Sequence, residues 1–239
     1  MAKRDFRYGT PMNVFVIGIT GRVGRLLAER LAGRGDTVRG LTRSTRDQEK
    51  FAAVNIETVV AELGAMTPHD LASAIADADV IVFAAGSNGG KRGVTEAVDR
   101  EGVAKTIEAA RLAGVGRVAL VSVFPEAWRE RSLPADEEYY FSVKKEAEVV
   151  LTRSGLDWVI LRPSLLTDDA ETGLVALGPA ELHGRISRGD VAATLAHILH
   201  EPRIGRQILE LNEGNTRIDA AVSRALVEAG QVEHGTTHP

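Results

Sequence analysis

Two side chains that could move a proton stand four residues apart, Tyr140 and Lys144, in the segment Tyr-Phe-Ser-Val-Lys. If this segment is helical, both side chains lie on one face of the helix. A lysine ammonium beside a phenol lowers the phenol pKa from about 10, so the pair would act as acid or base on a carbonyl or hydroxyl group. Tyr139 and Lys145 have no such partner at this spacing. By spacing alone, a packed tyrosine and a solvated lysine explain the segment equally well.

A glycine-rich turn indicates where an anion would bind. The apolar run from Val14 to Ile17 leads into Gly18-x-x-Gly21-x-x-Gly24, and leucines at helical spacing follow. A strand, a tight turn and a helix in this order are the context of a dinucleotide-binding loop, in which the pyrophosphate takes the free N–H groups of the helix start. Gly18 would make the turn, Gly21 would admit the phosphates, and Gly24 would let the helix approach the strand.

The end of the second predicted strand favours NADP(H) over NAD(H). Chains that bind NAD usually carry Asp or Glu about 20 residues past the glycines, where it bonds the ribose hydroxyls. Here the sequence is Leu-Thr-Arg-Ser-Thr-Arg, with Arg43 and Arg46 and no acid. Guanidinium groups bind a 2′-phosphate through charge-assisted hydrogen bonds, and Arg22 in the glycine turn could add a third positive charge. The alternative is that these arginines form a solvated surface patch.

Composition limits the other classes of function. The chain has 239 residues, a formal net charge of −4 and no cysteine. The interspersed charges do not indicate nucleic acid or an anionic membrane as a partner. The lack of cysteine excludes thiolate catalysis and a cysteine-ligated metal site, and we predict no metal site. Because no apolar stretch approaches ~20 residues and no secretory signal is visible, we expect a cytoplasmic protein that acts on a small molecule.

Strand and helix patterns alternate from residue 13 onward. Strands are expected at 13–17, 37–42, 56–61, 79–85, 117–122 and 157–161, with helices near 46–54, 68–76, 94–113 and 136–154. This alternation predicts an α/β fold with a doubly wound parallel sheet (a Rossmann fold) in the strand order 3-2-1-4-5-6. The helix that carries Tyr140 and Lys144 follows the fifth strand at the carboxyl edge of the sheet, where ligands bind in such folds.

Three regions stand apart from this alternation. Residues 1–12 are expected to form a flexible arm and 231–239 a tail, so that the domain spans 13–230. Residues 163–188 are rich in glycine and proline and leave the sixth strand at the carboxyl edge. We expect them to form a lid or a pocket wall on the substrate side, the alternative being an irregular surface excursion. A helix at 190–200, a strand at 207–212 and a helix at 218–229 complete the chain.

Together these motifs resemble an atypical short-chain dehydrogenase/reductase, in the NAD(P)H-binding group of sugar-epimerase-like and NmrA-like proteins. The resemblance rests on the glycine turn, the apolar strand at 79–85, Tyr140-x-x-x-Lys144 and the segment 154–163, and it covers about residues 13–212. It implies cofactor contacts by Gly18, Thr20, Gly21, Arg22, Val23 and Gly24 to the pyrophosphate; Arg43 and Arg46 to the 2′-phosphate; Glu62 and Leu63 beside the adenine; Ala84, Ala85, Gly86 and Ser87 at the inner ribose; Lys144 at the nicotinamide ribose; and Pro163 and Ser164 at the carboxamide.

One position departs from the catalytic members of this superfamily, which carry Ser or Thr just past the fifth strand. Ser122 is present, but Val123 and Phe124 are apolar where the extended-type enzymes usually place the catalytic hydroxyl. Without that hydroxyl the developing charge on a substrate oxygen is less stabilised. Asp99, in the long helix, is another acid near positions of interest, and a solvated helix face explains it as well.

Two functions remain open at this point. One is an NADP(H)-dependent oxidoreductase or epimerase-like enzyme for a small carbonyl or hydroxyl substrate, with Tyr140 as acid or base, Lys144 as its electrostatic partner and Ser122 as a candidate hydroxyl. The other is a non-catalytic NADP(H)-binding sensor, in which the cofactor orders residues 163–188 and changes the surface offered to a protein partner. The Tyr140–Lys144 pair favours the enzyme, and the apolar Val123 and Phe124 favour the sensor.

Overall fold

A computed structural model describes residues 10–87, 89–127 and 132–233 of the chain. The arm predicted at 1–12 lies mostly outside the described residues, as does the end of the tail predicted at 231–239. Met12, the last residue assigned to the arm, is buried, and its N–H donates to Asp36 Oδ1 at 2.9 Å. Met12 is therefore held to the fold just before the first strand.

The described residues form a nine-stranded sheet and a separate two-stranded pair. The strands are β1 (Asn13–Ile17), β2 (Thr37–Thr42), β3 (Glu57–Val60), β4 (Val80–Phe83), β5 (Arg117–Val121), β6 (Asp157–Pro163), β7 (Leu165–Thr167), β8 (Leu174–Gly178), β9 (Arg185–Ser187), β10 (Gln207–Glu213) and β11 (Thr216–Arg217). The order in the large sheet is β11-β8-β10-β6-β5-β4-β1-β2-β3. The predicted order 3-2-1-4-5-6 is confirmed, and β10 extends the parallel part beyond β6.

Eight α-helices lie in the described part of the chain. They are α1 (Arg22–Gly33), α2 (Thr45–Ala52), α3 (Pro68–Ala74), α4 (Arg92–Thr95), α5 (Glu101–Ala113), α6 (Ala135–Thr152), α7 (Arg188–Leu199) and α8 (Ile218–Glu233). The helix predicted at 94–113 begins two residues earlier and contains a π-helical turn, Glu96–Arg100, between α4 and α5. In this segment Gly114 ends α5 in the left-handed conformation, as the sequence predicts for a helix stop.

The strands alternate their side chains between two hydrophobic layers, because successive residues of a strand point to opposite faces. In β1, Val14 and Val16 pack with helices α1, α7 and α8. Phe15 and Ile17 pack on the other face with helices α3, α5 and α6. Both faces of the central strands are therefore covered, and the edge at their carboxyl ends is left for a ligand.

The region 163–188 is more regular than its sequence indicates. It contains β7, β8 and β9, and β8 joins the large sheet by pairing antiparallel to β10. Strands β7 and β9 are three residues long and pair with each other. Segments this short carry too few alternating residues to show the period of a strand, so the sequence pattern resembles that of a loop. Among the described residues no helix is long and apolar enough to cross a membrane.

Candidate cofactor-binding and catalytic site

A cavity of about 800 Å³ opens at the carboxyl edge of the parallel strands. Its walls come from the loops that follow β1 to β5, together with helix α6. The predicted site residues that line it are Gly18, Thr20, Gly21, Arg22, Val23, Arg43, Glu62, Leu63, Ala84, Ala85, Gly86, Ser87, Ser122, Tyr140 and Lys144. The cavity falls within the size range of small-molecule and cofactor sites, and residues far apart in the sequence meet in it.

Four predicted cofactor contacts do not line this cavity. Gly24 is buried beneath the glycine turn, and Arg46 is exposed in the first turn of α2. Pro163 and Ser164 are buried at the end of β6. Ser164 donates its N–H to the Leu211 carbonyl at 2.8 Å and accepts from the Gly184 N–H at its hydroxyl, at 3.2 Å. Its polar groups are therefore engaged in holding strands together.

The glycine turn has the form that a pyrophosphate requires. Gly18 has φ +91°, and a Cβ there would lie 2.7 Å from the Ala84 carbonyl carbon. A Cβ on Gly24 would overlap the Gly18 carbonyl, so both glycines allow close backbone approach. Gly21 caps α1 without a side-chain hydrogen bond, and the first turn contains no acid. The helix N–H groups and the positive end of its dipole are therefore available to an anion, so these residues fit a dinucleotide.

Lys144 is buried against Asp99, for which a solvated helix face was one of two explanations open from the sequence. Asp99 is 0% exposed, and its Oδ1 lies 3.3 Å from Lys144 Nζ. The same ammonium lies 3.3 Å from the Val121 carbonyl at the end of β5. The explanation of Asp99 as part of a solvated helix face is therefore wrong. A buried ion pair of this kind is costly to break, because the remaining charge has no solvent to stabilise it.

The π-helical turn connects Asp99 to a second loop of the cavity. Asp99 Oδ2 accepts the Ser87 N–H at 3.0 Å, and Ser87 Oγ lies 2.9 Å from Thr95 Oγ1. One carboxylate therefore holds both Lys144 and the loop that follows β4. Single π-helical turns inside α-helices are frequent at functional sites.

Tyr140 lines the cavity, and its hydroxyl has no hydrogen-bond partner among the described residues. Its ring packs beside Phe141, with ring centroids 5.8 Å apart, in a small cluster with Phe124 and Ala127. Burial raises the pKa of Tyr140 above its usual value, and the nearby negative charge of Asp99 raises it further. The expectation that Lys144 lowers the pKa of Tyr140 is therefore wrong for the protein alone, since Asp99 offsets the charge of Lys144.

The adjacent tyrosine and lysine have partners away from the cavity. Tyr139 donates its hydroxyl to Glu96 at 2.5 Å, and the Arg92 guanidinium lies 4.8 Å from its ring centroid. Lys145 forms an ion pair with Glu126. Of the residues in this register, Tyr140 and Lys144 are the ones that reach the cavity, while their catalytic roles stay predictions.

Ser122 lies beside this pair and is also unpaired. Its N–H continues the sheet by donating to the Leu161 carbonyl at 2.8 Å, and its buried hydroxyl has no partner among the described residues. Val123 lines the cavity wall, while Phe124 turns away and packs edge-on against His183, with centroids 5.4 Å apart. Neither of these apolar residues therefore fills the cavity at the end of β5.

Of the polar residues of this region, sequence reasoning left Asp99 with two explanations and missed Arg188. Asp99 precedes the buried Val103 by four residues and Thr106 by seven, so helical spacing could have assigned it to the buried face. Arg188 lines the cavity as the first residue of α7. Arg188 could have been found from Ser187 and Asp190, because their three-residue spacing is typical of a helix N-cap. The structure contains this cap, which makes Arg188 the first residue of α7.

Comparison with known proteins gives the same family from sequence and from structure. Residues 18–202 match the model of a family described as NAD(P)H-binding. A protein of Bacillus subtilis (strain 168) named as an uncharacterized sugar epimerase is 36% identical over 216 residues, which cover 89% of this chain and 100% of that protein.

Two solved structures share the fold along nearly their whole length. A putative NAD-dependent epimerase/dehydratase from Bacillus halodurans has a TM-score of 0.81 at 30% identity, covering 89% of this chain and 99% of that one. The oxidoreductase ylbE from Lactococcus lactis has a TM-score of 0.79 at 26% identity, covering 95% and 100%. The resemblance stated from the sequence motifs is confirmed: this chain belongs to the NAD(P)H-binding family, and the proteins it resembles include ones named as epimerases and one named as an oxidoreductase.

Proposed function

We propose that this protein is an NADPH-dependent reductase of small carbonyl compounds, with Tyr140 as the proton donor. The observation that carries the proposal is the unpaired Tyr140 hydroxyl, which lines the same cavity as the glycine turn and Lys144. A cofactor-binding protein without chemistry has no need of an unpaired phenol beside a buried ammonium. A small-molecule substrate would fill the part of the cavity between Tyr140, Ser122 and Val123.

The residues that would hold the cofactor belong to four loops, those that follow β1 to β4. The glycine turn would take the pyrophosphate on the N–H groups of α1, and Arg43 would take the 2′-phosphate. Glu62 and Leu63 would flank the adenine, and the loop from Ala84 to Ser87 would border the inner ribose. We infer a preference for NADP(H) because Arg43 lines the cavity and the end of β2 carries no acid.

The protonation state of Tyr140 favours the direction of reduction. When bound, the cofactor supplies a hydride to the carbonyl carbon. Because burial and Asp99 raise the pKa of Tyr140, the phenol is protonated at neutral pH and can donate its proton to the carbonyl oxygen. Solvent then returns a proton to the phenolate. The Ser122 hydroxyl, which has no partner among the described residues, would donate a second hydrogen bond to the same oxygen.

Lys144 and Asp99 would set the charge around the Tyr140 hydroxyl, which is the proton donor. The ammonium would bond the ribose hydroxyls of the nicotinamide half and stabilise the phenolate that forms when Tyr140 gives up its proton. Asp99 holds that ammonium in place and prevents it from ionising the phenol before substrate arrives. It is therefore a positioning residue rather than a group that touches the substrate.

The experiment is a search for carbonyl substrates by NADPH oxidation. Aldoses, ketoses, and small apolar aldehydes and ketones would be incubated with the protein and NADPH, with NADH in parallel. We expect turnover with at least one class of carbonyl and a preference for NADPH. If the protein binds NADPH but leaves it reduced with every compound, the reductase is refuted and a non-catalytic NADP(H) sensor takes its place.

A further inference from the structure

One carboxylate bridges two arginines at the mouth of the cavity. Asp168, just past β7, lies 2.5 Å from Arg22 through Oδ2 and 2.8 Å from Arg188 through Oδ1. Arg22 begins α1 and Arg188 begins α7, and both arginines line the cavity. The starts of two helices therefore meet around a single negative charge.

The two arginines differ in how far they are buried. The side chain of Arg188 is 13% exposed, against 63% for Arg22. A guanidinium carries five N–H donors, yet Asp168 is the one hydrogen-bond partner of Arg188 within the described residues. Arg188 thus presents a buried positive charge with spare donors to a cavity that is built for a phosphorylated ligand.

Asp168 is well suited to be displaced. Its side chain is 65% exposed, so it can return to water at little cost when the ion pairs break. A pyrophosphate carries two negative charges and can accept parallel hydrogen bonds from a guanidinium, a stronger interaction than an exposed ion pair. The segment stays attached to α1 during such an exchange, because Glu171 forms an ion pair with Arg30 two turns further along that helix.

We propose that Arg188 binds the pyrophosphate of the cofactor, and that Asp168 occupies its guanidinium until the cofactor arrives. This inference rests on the proposed function, because it takes the ligand of the cavity to be a dinucleotide. The start of α1, which has no side-chain cap and no acid in its first turn, adds its dipole to the two guanidinium groups. The start of α7 contributes through Arg188 alone, because Ser187 caps that helix and Asp190 lies in its first turn. On cofactor binding, the two phosphates then replace the Asp168 carboxylate as the partner of the two arginines.

The test is a set of binding titrations on Arg188→Met, with Arg185→Met as control. Arg185 stands three residues earlier, is largely exposed and pairs with Glu213 away from the cavity. NADPH, NADH and ADP-ribose all contain the pyrophosphate, whereas adenosine 2′-monophosphate lacks it. We expect Arg188→Met to weaken the first three by about tenfold each and to leave the fourth within about twofold. Arg185→Met should change none of them.

Two further variants keep the test decisive if Arg188→Met does not fold. Asp168→Asn removes the competing carboxylate and should tighten NADPH binding by about threefold. Arg188→Lys keeps the charge but loses the planar fork, so its affinity should lie between wild type and the loss expected for methionine. Unchanged affinities in the Arg188 and Asp168 variants, or an equal loss for adenosine 2′-monophosphate, would overturn the inference. Failure of wild type to bind any of the pyrophosphate ligands would instead refute the proposed function.

Discussion

The two edges of the parallel sheet use buried polar groups in opposite ways. At the amino edge, Asp36 Oδ1 lies 2.9 Å from the Met12 N–H and 3.1 Å from His200 Nε2. The other ring nitrogen of His200 lies 2.9 Å from the Ala196 carbonyl. These contacts join the start of β1, the start of β2 and the end of α7, and they close that edge of the fold.

Arg117, at the amino end of β5, extends this pattern. Its guanidinium donates to the Ile204 carbonyl at 2.8 Å and, over longer distances, to the carbonyls of Ile198, Glu201 and Pro202. Burial lowers the pKa of Arg117, and the charges of Asp157 and Glu201 oppose that shift. Apart from the Asp157 carboxylate, whose Oδ2 lies 3.4 Å from the guanidinium, these partners are backbone carbonyls of the end of α7 and of the turn after it. The charge therefore serves to anchor that turn.

The carboxyl edge leaves its polar groups only partly engaged. The hydroxyls of Tyr140 and Ser122 have no partner among the described residues, and Lys144 is held at 3.3 Å by Asp99. Buried polar groups without partners are unfavourable for folding, so a protein keeps them where a ligand completes them. At the amino edge, Asp36 Oδ2 and Arg117 Nε also lack partners, but the other polar atoms of both side chains are bonded. The difference between the edges is therefore that at the carboxyl edge whole hydroxyl groups, those of Tyr140 and Ser122, are left without a partner among the described residues.

The largest expected effect is the loss of turnover in Tyr140→Phe. Removing the proton donor should lower turnover by about a thousandfold while the affinity for NADPH stays within about twofold, because general acid catalysis contributes roughly 10²–10⁴. The matched control is Tyr139→Phe, whose hydroxyl bonds Glu96 away from the cavity. Comparable losses in the two variants, measured with the best carbonyl found by NADPH oxidation, would remove Tyr140 from the mechanism.

A substitution at the amino edge should instead change the stability of the fold. Arg117→Met removes a buried charge and leaves carbonyls without a donor, so the free energy of unfolding should fall by about 3 kcal/mol. The NADPH affinity of the folded protein should not change. Urea unfolding measures the first quantity and a titration the second. Arg111→Met is the control, because Arg111 also donates to a backbone carbonyl, that of Ser154, but is half exposed, and it should cost under about 1 kcal/mol.

The parts of the carboxyl edge that the sequence predicted are those with a local pattern. Gly18 and Gly24 could be placed because their spacing follows an apolar strand and opens a helix, and the order of the first six strands follows from the rule for parallel crossovers. Tyr140 and Lys144 could be placed on one helix face because four-residue spacing is a local feature of the sequence.

What the sequence did not reveal depends on contacts between distant segments. A carboxylate such as Asp99 is normally solvated, and its burial follows from Lys144, which stands 45 residues later and contacts it only after folding. Burial of the phenol, with the charge of Asp99 as the smaller cause, also reversed the expected direction of the Tyr140 pKa. Arg188 likewise becomes a cavity residue only when α7 packs against α1. Strands β7 and β9 were missed because three-residue strands have no readable period.

A smaller effect is expected at the adenosine end of the cavity. Arg43→Ala should weaken NADPH binding by about tenfold and leave NADH binding nearly unchanged, because one charge-assisted hydrogen bond to the 2′-phosphate is lost. Arg46→Ala is the natural comparison, since Arg46 is exposed and does not line the cavity, and it should have a weaker effect. Equal losses for NADPH and NADH in Arg43→Ala would contradict the preference for NADP(H).

The smallest expected effect on the chemistry concerns the charge that offsets Lys144, although the loss of this buried ion pair also lowers stability. In Asp99→Asn the amide oxygen can still accept the Ser87 N–H, but the negative charge near Tyr140 is gone. The pKa of Tyr140 should therefore fall relative to wild type while remaining raised by burial, which is the larger cause. Tyrosinate absorbance against pH, compared with and without Tyr140→Phe, isolates this residue. A pKa that stays constant or rises would show that Asp99 does not control the phenol.

The central claim is that the cavity keeps Tyr140 protonated so that it can give its proton to a carbonyl. The direct test is the pH dependence of kcat/KM for NADPH-driven reduction by wild type. Since the pKa of Tyr140 is raised above its ordinary value of about 10, activity carried by the protonated phenol should stay level through neutral pH and decline only in the alkaline range. Activity that instead rises with pH through an inflection near neutrality, and loses that inflection in Tyr140→Phe, would mean that the ionised phenol is the working form and would contradict this account.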